Sequence, residues 1–404
     1  MITLEQYLRN CTLRKEELDA FLSDTEPSWA KFDPEVGYIL GNYMPPDGVD
    51  DSLTISTAAP DGSRRAVIYA DRPCRINTYG NSFTQCHQVS DHETWQEYLA
   101  AHLGEPIRNF GMGGHGVYQA YRRMVRTELT GDGADYNVLY IWGDDHFRSV
   151  VRCRYVLTMG WHRGYGHLGG RMFHGNFWSN VEMDLESGRF VERDNVLPTP
   201  ESVYKMTDED FMVEALRDDL MMQMCLVCGG VTQDVDKDKV NELAAHLGCG
   251  CLIEGPADWL RSQVAEIHQA YGFAATRYIV ERAEGFAAEH GKKLLVVLFC
   301  PAVTRQLITT GERYDQPIVE YLRERGTRYF DMNLVHVEDY KSFKLSLDEY
   351  MKRYLIGHYS PKGNHFFAFA IKDEFVDWLD PKPITYRDDA QARISFEEGY
   401  LPEG

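Results

Sequence analysis

Three short segments carry residue types that, brought together, could move an acyl group. Ser82 stands in Tyr79-Gly80-Asn81-Ser82-Phe83-Thr84, where small polar neighbours can present a hydroxyl above a strand end. Asn109-Phe110-Gly111-Met112-Gly113-Gly114-His115-Gly116 holds four glycines in six positions. Such a loop leaves backbone amides bare, and bare amides are what an oxyanion hole needs. His358, in His358-Tyr359-Ser360-Pro361-Lys362-Gly363, supplies an imidazole that could deprotonate a serine. Taken singly, each segment reads as a turn or a cap; the order in which they follow strands and helices gives them weight.

The elements that must position them alternate. Arg75–Tyr79 reads as a strand running into Gly80. Ser90-Asp91-His92-Glu93 is a capping box opening a helix with Trp95, Leu99 and Leu103 on one face and Gly104 as its stop. A short strand at Ile107–Phe110 leads into the glycine cluster. A helix over Val117–Leu129 and a strand over Tyr136–Trp142 complete a βαβαβ pattern, which implies a parallel sheet covered on both faces. The pattern resumes with a helix from Ala257 to His290, a strand at Leu294–Cys300, a helix at Pro317–Arg325, a strand at Tyr329–Met332 and a last helix after Gly363. The expected fold is α/β, a three-layer doubly wound parallel sheet with an N-terminal extension and a large insertion. Residues 1–74 form a lead-in, with a hairpin of Leu53–Ser56 and Arg65–Tyr69 turned at Pro60-Asp61-Gly62. Residues 75–145 and 256–390 form the core, and 146–255 an insertion on its active edge. In such sheets ligands sit outside the carboxyl ends of the strands.

In this order the segments resemble the four blocks of the SGNH (GDSL-type) hydrolase superfamily. The blocks are Gly80-Asn81-Ser82-Phe83-Thr84, Asn109 to Gly116, Gly143-Asp144-Asp145-His146, and His358 with Gly363. The resemblance covers about 75–145 and 290–372. It implies a flavodoxin-like SGNH fold and an esterase with no cofactor or metal. Ser82 would be its nucleophile, His358 its base, and Gly114 its oxyanion donor. The substrate would be an acetyl or other small acyl ester of a carbohydrate or small molecule. Acyl transfer would use the same residues. A rival from another class is a protein on this fold that cleaves a glycosidic bond, or only binds an anionic sugar, through Asp144, Asp145 and His146.

Three departures from the family pattern matter. Asn81 stands where the family usually has Asp, and Asp144 or Asp145 where it usually has Asn. The expectation is a compensated exchange, with the Asn81 amide donating to the block-three carboxylate. The acid that should orient the histidine is also missing, since Leu355 and Ile356 occupy its usual places. Asp348, Glu349 and Asp331 are candidates to replace it, or a backbone carbonyl could serve.

The insertion has a composition of its own. Between His146 and Val181 there is no Asp or Glu, in a chain of net charge −20. Arginines 148, 152, 154, 163 and 171 alternate there with histidines and aromatic residues. Trp161 with Arg148, Arg163 and Arg171, joined by His115 and His146, therefore form the expected binding set for an anionic substrate. Cys225, Cys228, Cys249 and Cys251 have a spacing near that of a zinc knuckle, but their Met-rich surroundings favour a buried helix. The acidic balance argues against nucleic acid as a partner. No apolar run is long enough to span a membrane. Nine scattered cysteines fit a reducing cytoplasm. Assembly with further copies of the chain stays open.

Overall fold

In a computed structural model, which describes residues 1–168, 170–252 and 255–387, five parallel strands form the central sheet. They are β3 (Ile76–Tyr79), β4 (Arg108–Asn109), β5 (Tyr136–Ile141), β8 (Lys293–Leu298) and β9 (Tyr329–Asp331). Their order is β4-β3-β5-β8-β9. Between β3 and β5 the chain reverses the direction in which it adds strands, and a crevice opens at such a point. The last three residues of the expected core, 388–390, lie outside the described residues.

Alternation along the strands divides the core between two faces. Leu139, Ile141, Val296 and Leu298 pack with Met124 of helix Val117–Glu128 and with Ile279 and Ala283 of helix Ala257–Glu289. Val138, Tyr140, Leu295 and Val297 face the other way, toward Leu99 of helix Trp95–Leu103 and Phe367 and Ile371 of helix Pro361–Trp378. The strands are buried on both sides, which explains their near-continuous hydrophobic runs.

The N-terminal segment departs from expectation. The hairpin expected at Leu53–Tyr69 is absent; that stretch makes one internal antiparallel bridge, Ala58 to Arg64, and a second from Arg64 to Asn109. Its backbone groups are claimed elsewhere, since the Glu97 carboxylate accepts from the N–H groups of Val67 and Ile68, and Asp91 accepts from Thr57. A hairpin forms instead at β1 (Ala30–Asp33) and β2 (Gly37–Leu40). Asp33 Oδ1 accepts from the N–H groups of Glu35 and Val36 and so closes its turn. In the insertion, β6 (Asn180–Asp184) and β7 (Arg189–Arg193) form a second hairpin. Val203, Met212, Met222 and Val240 join the same buried cluster as helix Ala257–Glu289. The insertion thus shares the core of the sheet domain.

Candidate active site

Ser82 opens the helical turn Ser82–Gln85 at the carboxyl end of β3, capped by the Asn81 side chain, whose oxygen accepts from Phe83 N. His358 lies just before helix Pro361–Trp378. The two meet: His358 Nε2 is 2.7 Å from Ser82 Oγ. Burial, with His87 and Arg148 nearby, holds the His358 pKa well below its usual 6.5. The ring is therefore neutral at pH 7, as a base must be.

None of the expected acids orients this histidine. Asp331 pairs with Arg313, Asp348 with Arg305, and Glu349 caps its own helix at Ser346. The partner is Gln88, whose Oε1 lies 3.0 Å from His358 Nδ1 and accepts from His358 N at 2.9 Å. Gln88 Nε2 donates to the carbonyl of Asp47 at 2.8 Å. These two backbone contacts fix which end of the amide faces the ring. An oxygen facing Nδ1 requires the proton there, which leaves Nε2 free to accept from Ser82.

The backbone around Gln88 is bent to reach this position. Cys86 and Gln88 both have positive φ, 58° and 75°. Buried Arg64 secures the loop, donating to the carbonyls of Gln85, Cys86 and Val89 and pairing with Asp91. On the other side Gly357, at φ +118°, has no room for a side chain: a Cβ would fall 2.7 Å from Gln88 Oε1.

The glycine loop is fastened to the nucleophile turn. Met112 N donates to Gly80 O at 3.0 Å, and Gly113 N to Gln85 Oε1 at 2.7 Å. The N–H groups of Ser82 and Gly114 have no acceptor among the described residues. Both residues line one cleft, together with His358.

Block three is arranged around Asp145. Its Oδ2 accepts from Asn81 Nδ2 at 2.5 Å and from Trp142 N at 2.8 Å, and its Oδ1 from Arg148 at 3.2 Å. The amide-to-carboxylate contact expected of the Asn81/Asp exchange is present, and it selects Asp145. Asp144 is half exposed and reaches only Arg148, at 3.4 Å. Burial raises the Asp145 pKa from 3.8 to about 7, against the opposing pull of Arg148. Between about pH 4 and 7 the unfolded chain has lost this proton and the folded one keeps it, so the Asp145 contribution falls as pH rises, by about 1.4 kcal/mol per pH unit at most. Asp145→Asn is expected to flatten this slope, and urea denaturation of both proteins at pH 5 and pH 8 measures the difference.

The cleft has a volume of about 430 Å³. The insertion lines it with Arg148, Arg154, Trp161, Tyr165, Met172 and His174; Trp29, whose ring lies 4.2 Å from that of His174, Asp47, His87 and Trp142 line it too. Several expected binding residues are not among its lining. Arg163 donates to Asn10 O at 2.6 Å, and Arg171 is 3.6 Å from Glu26, with 44% of its side chain exposed. His115 is fully buried against Tyr38 O. His146 bonds Thr276 and borders a separate pocket with His268. Asp144 and His146 both line that pocket, whereas Asp145 is held away from it by Asn81, Trp142 and Arg148. Cys225 Sγ lies 3.2 Å from His268 Nε2, but among the described residues no three His, Cys, Asp or Glu side chains gather as metal ligands. A larger depression of about 650 Å³ by β6–β7 holds Arg152, Glu182, Arg193 and Asp218, which pair with one another. No described helix is long and apolar enough to cross a membrane.

Gln88 and Arg154 are the residues that sequence reasoning did not single out. The empty acid positions at Leu355 and Ile356 were the one signal that an unusual partner had to exist. Compared with models of protein families and with curated proteins, the chain matches none.

Proposed function

We propose that this protein is a serine hydrolase of the SGNH type, on a flavodoxin-like sheet, which cleaves a small acyl group from an ester. The observation that carries this reading is the 2.7 Å contact between Ser82 Oγ and a neutral His358 beside two unpaired N–H groups. Ser82 Oγ attacks the ester carbonyl while its proton passes to His358 Nε2. The carbonyl electron pair moves onto oxygen, which the N–H groups of Ser82 and Gly114 receive. Collapse restores the carbonyl and expels the alcohol, protonated by His358. Water, deprotonated by the same ring, then attacks the acyl-serine and releases the acid.

Asp145 is turned from such an oxyanion by its three donors. Its carboxylate therefore holds Asn81 and Arg148 in place. Asp144 and His146 line a second pocket that Asp145 does not reach, so a glycosidic mechanism there would lack the second carboxylate such chemistry uses.

A fluorophosphonate probe tests the reading. Adduct formation at Ser82, with turnover of p-nitrophenyl acetate, is the expected result; an unlabelled Ser82 in folded protein overturns it. The acid limb of kcat/KM is expected below pH 6.5, because His358 must be neutral to act and its pKa is held down.

Gly114→Ala probes the oxyanion contact. Gly114 has φ +82°, and a Cβ there would meet Tyr38 Oη at 2.6 Å and Arg154 Cζ at 2.8 Å. The loop must shift, so kcat is expected to fall roughly 10²- to 10³-fold, as when an oxyanion donor is lost. Steady-state kinetics checks it.

A further inference from the structure

The cleft has one cationic side chain with no carboxylate in contact. Three ionic side chains other than histidine line it: Asp47, Arg148 and Arg154. Asp47 is engaged by His87 Nε2 at 2.9 Å. Arg148 is shared between Asp144 and Asp145. Arg154 differs from both. No carboxylate lies within ion-pair distance of it among the described residues, and its one carbonyl contact, to His174 O, is long at 3.3 Å. Its Nε is buried with no hydrogen-bond partner. Burial pushes its pKa down to about 10, with Tyr38 and, from farther off, Asp144 pulling the other way, so the guanidinium stays charged at neutral pH.

A partly buried cation with no carboxylate in contact costs stability, a cost that an anionic ligand would offset. The residue orienting His358 belongs to the same balance. With Gln88 in place of a carboxylate, the cleft lacks the negative charge that such a site usually holds. In a protein of net charge −20 the reaction cleft thus holds a guanidinium that no carboxylate contacts.

Resting on the hydrolase reading above, we infer that Arg154 is a specificity-determining residue that binds a negatively charged group of the substrate. The ester cleaved at Ser82 then carries a carboxylate, phosphate or sulfate. The guanidinium fork suits any of these oxyanions. Trp161 and Tyr165, whose rings are 4.6 Å apart, offer apolar surface in the same cleft.

Two esters of matched length, mono-p-nitrophenyl adipate and p-nitrophenyl hexanoate, separate charge recognition from chemistry. For Arg154→Met, kcat/KM toward the adipate ester is expected to fall roughly 10- to 100-fold more than toward the hexanoate ester, the range of a charged hydrogen bond. Arg154→Lys keeps the charge without the fork and is expected to lie between. An equal fall for both esters would assign Arg154 to the oxyanion and overturn the inference, as would no fall for adipate. Thermal melting shows whether the variants are folded, and the Met variant is expected to melt no lower than wild type without ligand. If wild-type protein turns over neither ester, the hydrolase reading fails alone. Calorimetric titration with adipate, inorganic phosphate and sulfate then decides the inference. Binding of any of them by wild type that Arg154→Met loses sustains it; equal binding, or none of the three bound by wild type, overturns it.

Discussion

Ser82→Ala and His358→Ala are each expected to lower kcat by about 10⁶-fold, and the double variant by little more, because a nucleophile and its base act as one unit. The 2.7 Å contact makes them such a unit. Without the imidazole the hydroxyl keeps its proton; without the hydroxyl the imidazole has nothing to activate. Residual rate over water would come from the N–H groups of Ser82 and Gly114. Single-turnover kinetics on all three variants checks the expectation, and multiplicative losses would break the pairing. Stability should change little in Ser82→Ala, since the helical turn is capped by Asn81 and Ser82 contributes only its hydroxyl.

Gln88 carries the second large effect. Gln88→Leu removes the acceptor of both His358 Nδ1–H and His358 N–H. The ring loses its tautomeric preference and its anchor, and kcat is expected to fall about 10⁴-fold, the loss found when a triad acid is replaced so that the tautomer is wrong. Gln88→Glu should act in the opposite direction on the base. A carboxylate beside Nδ1 stabilises the imidazolium, so the acid limb of the pH–rate profile moves to higher pH. Turnover of neutral esters should rise with it. The cost is the lost hydrogen bond to Asp47 O, which a small fall in melting temperature would reveal. An unmoved acid limb in Gln88→Glu would mean that Gln88 does not face the protonated nitrogen.

How far the sequence foretold this site depends on the range of each interaction. Strands and helices of the sheet domain were legible because both faces of β5 and β8 are buried, which writes unbroken apolar runs into the chain. Ser82, Gly114 and His358 were legible because each follows or precedes a regular element at a fixed offset. The β1–β2 hairpin was not, because Pro34 reads as a breaker while its neighbour Asp33 builds the turn through side-chain acceptance. Gln88 was hidden for a different reason. Its role depends on a positive φ and on two backbone contacts with residues 41 and 270 positions away, and a glutamine in a loop signals neither. Among the arginines, helix geometry could have sorted the set. Arg154, Trp161 and Tyr165 recur at helical intervals on the cleft side, whereas Arg163 falls on the side facing Asn10.

The distance along the chain between Ser82 and His358 has a consequence in time. They are 276 positions apart, so at a synthesis rate of about 5–20 residues per second the serine waits roughly 15–55 s for its base. Gln88 is already made and is itself held from Asp47, so the orienting half of the site can be laid down early. The reactive half is completed only once helix Pro361–Trp378 has been made and can pack and place the ring. A chain released before that point has the serine, yet no proton acceptor for its hydroxyl. On the proposed hydrolase reading, termination before His358 therefore yields a chain without its base instead of an unregulated enzyme.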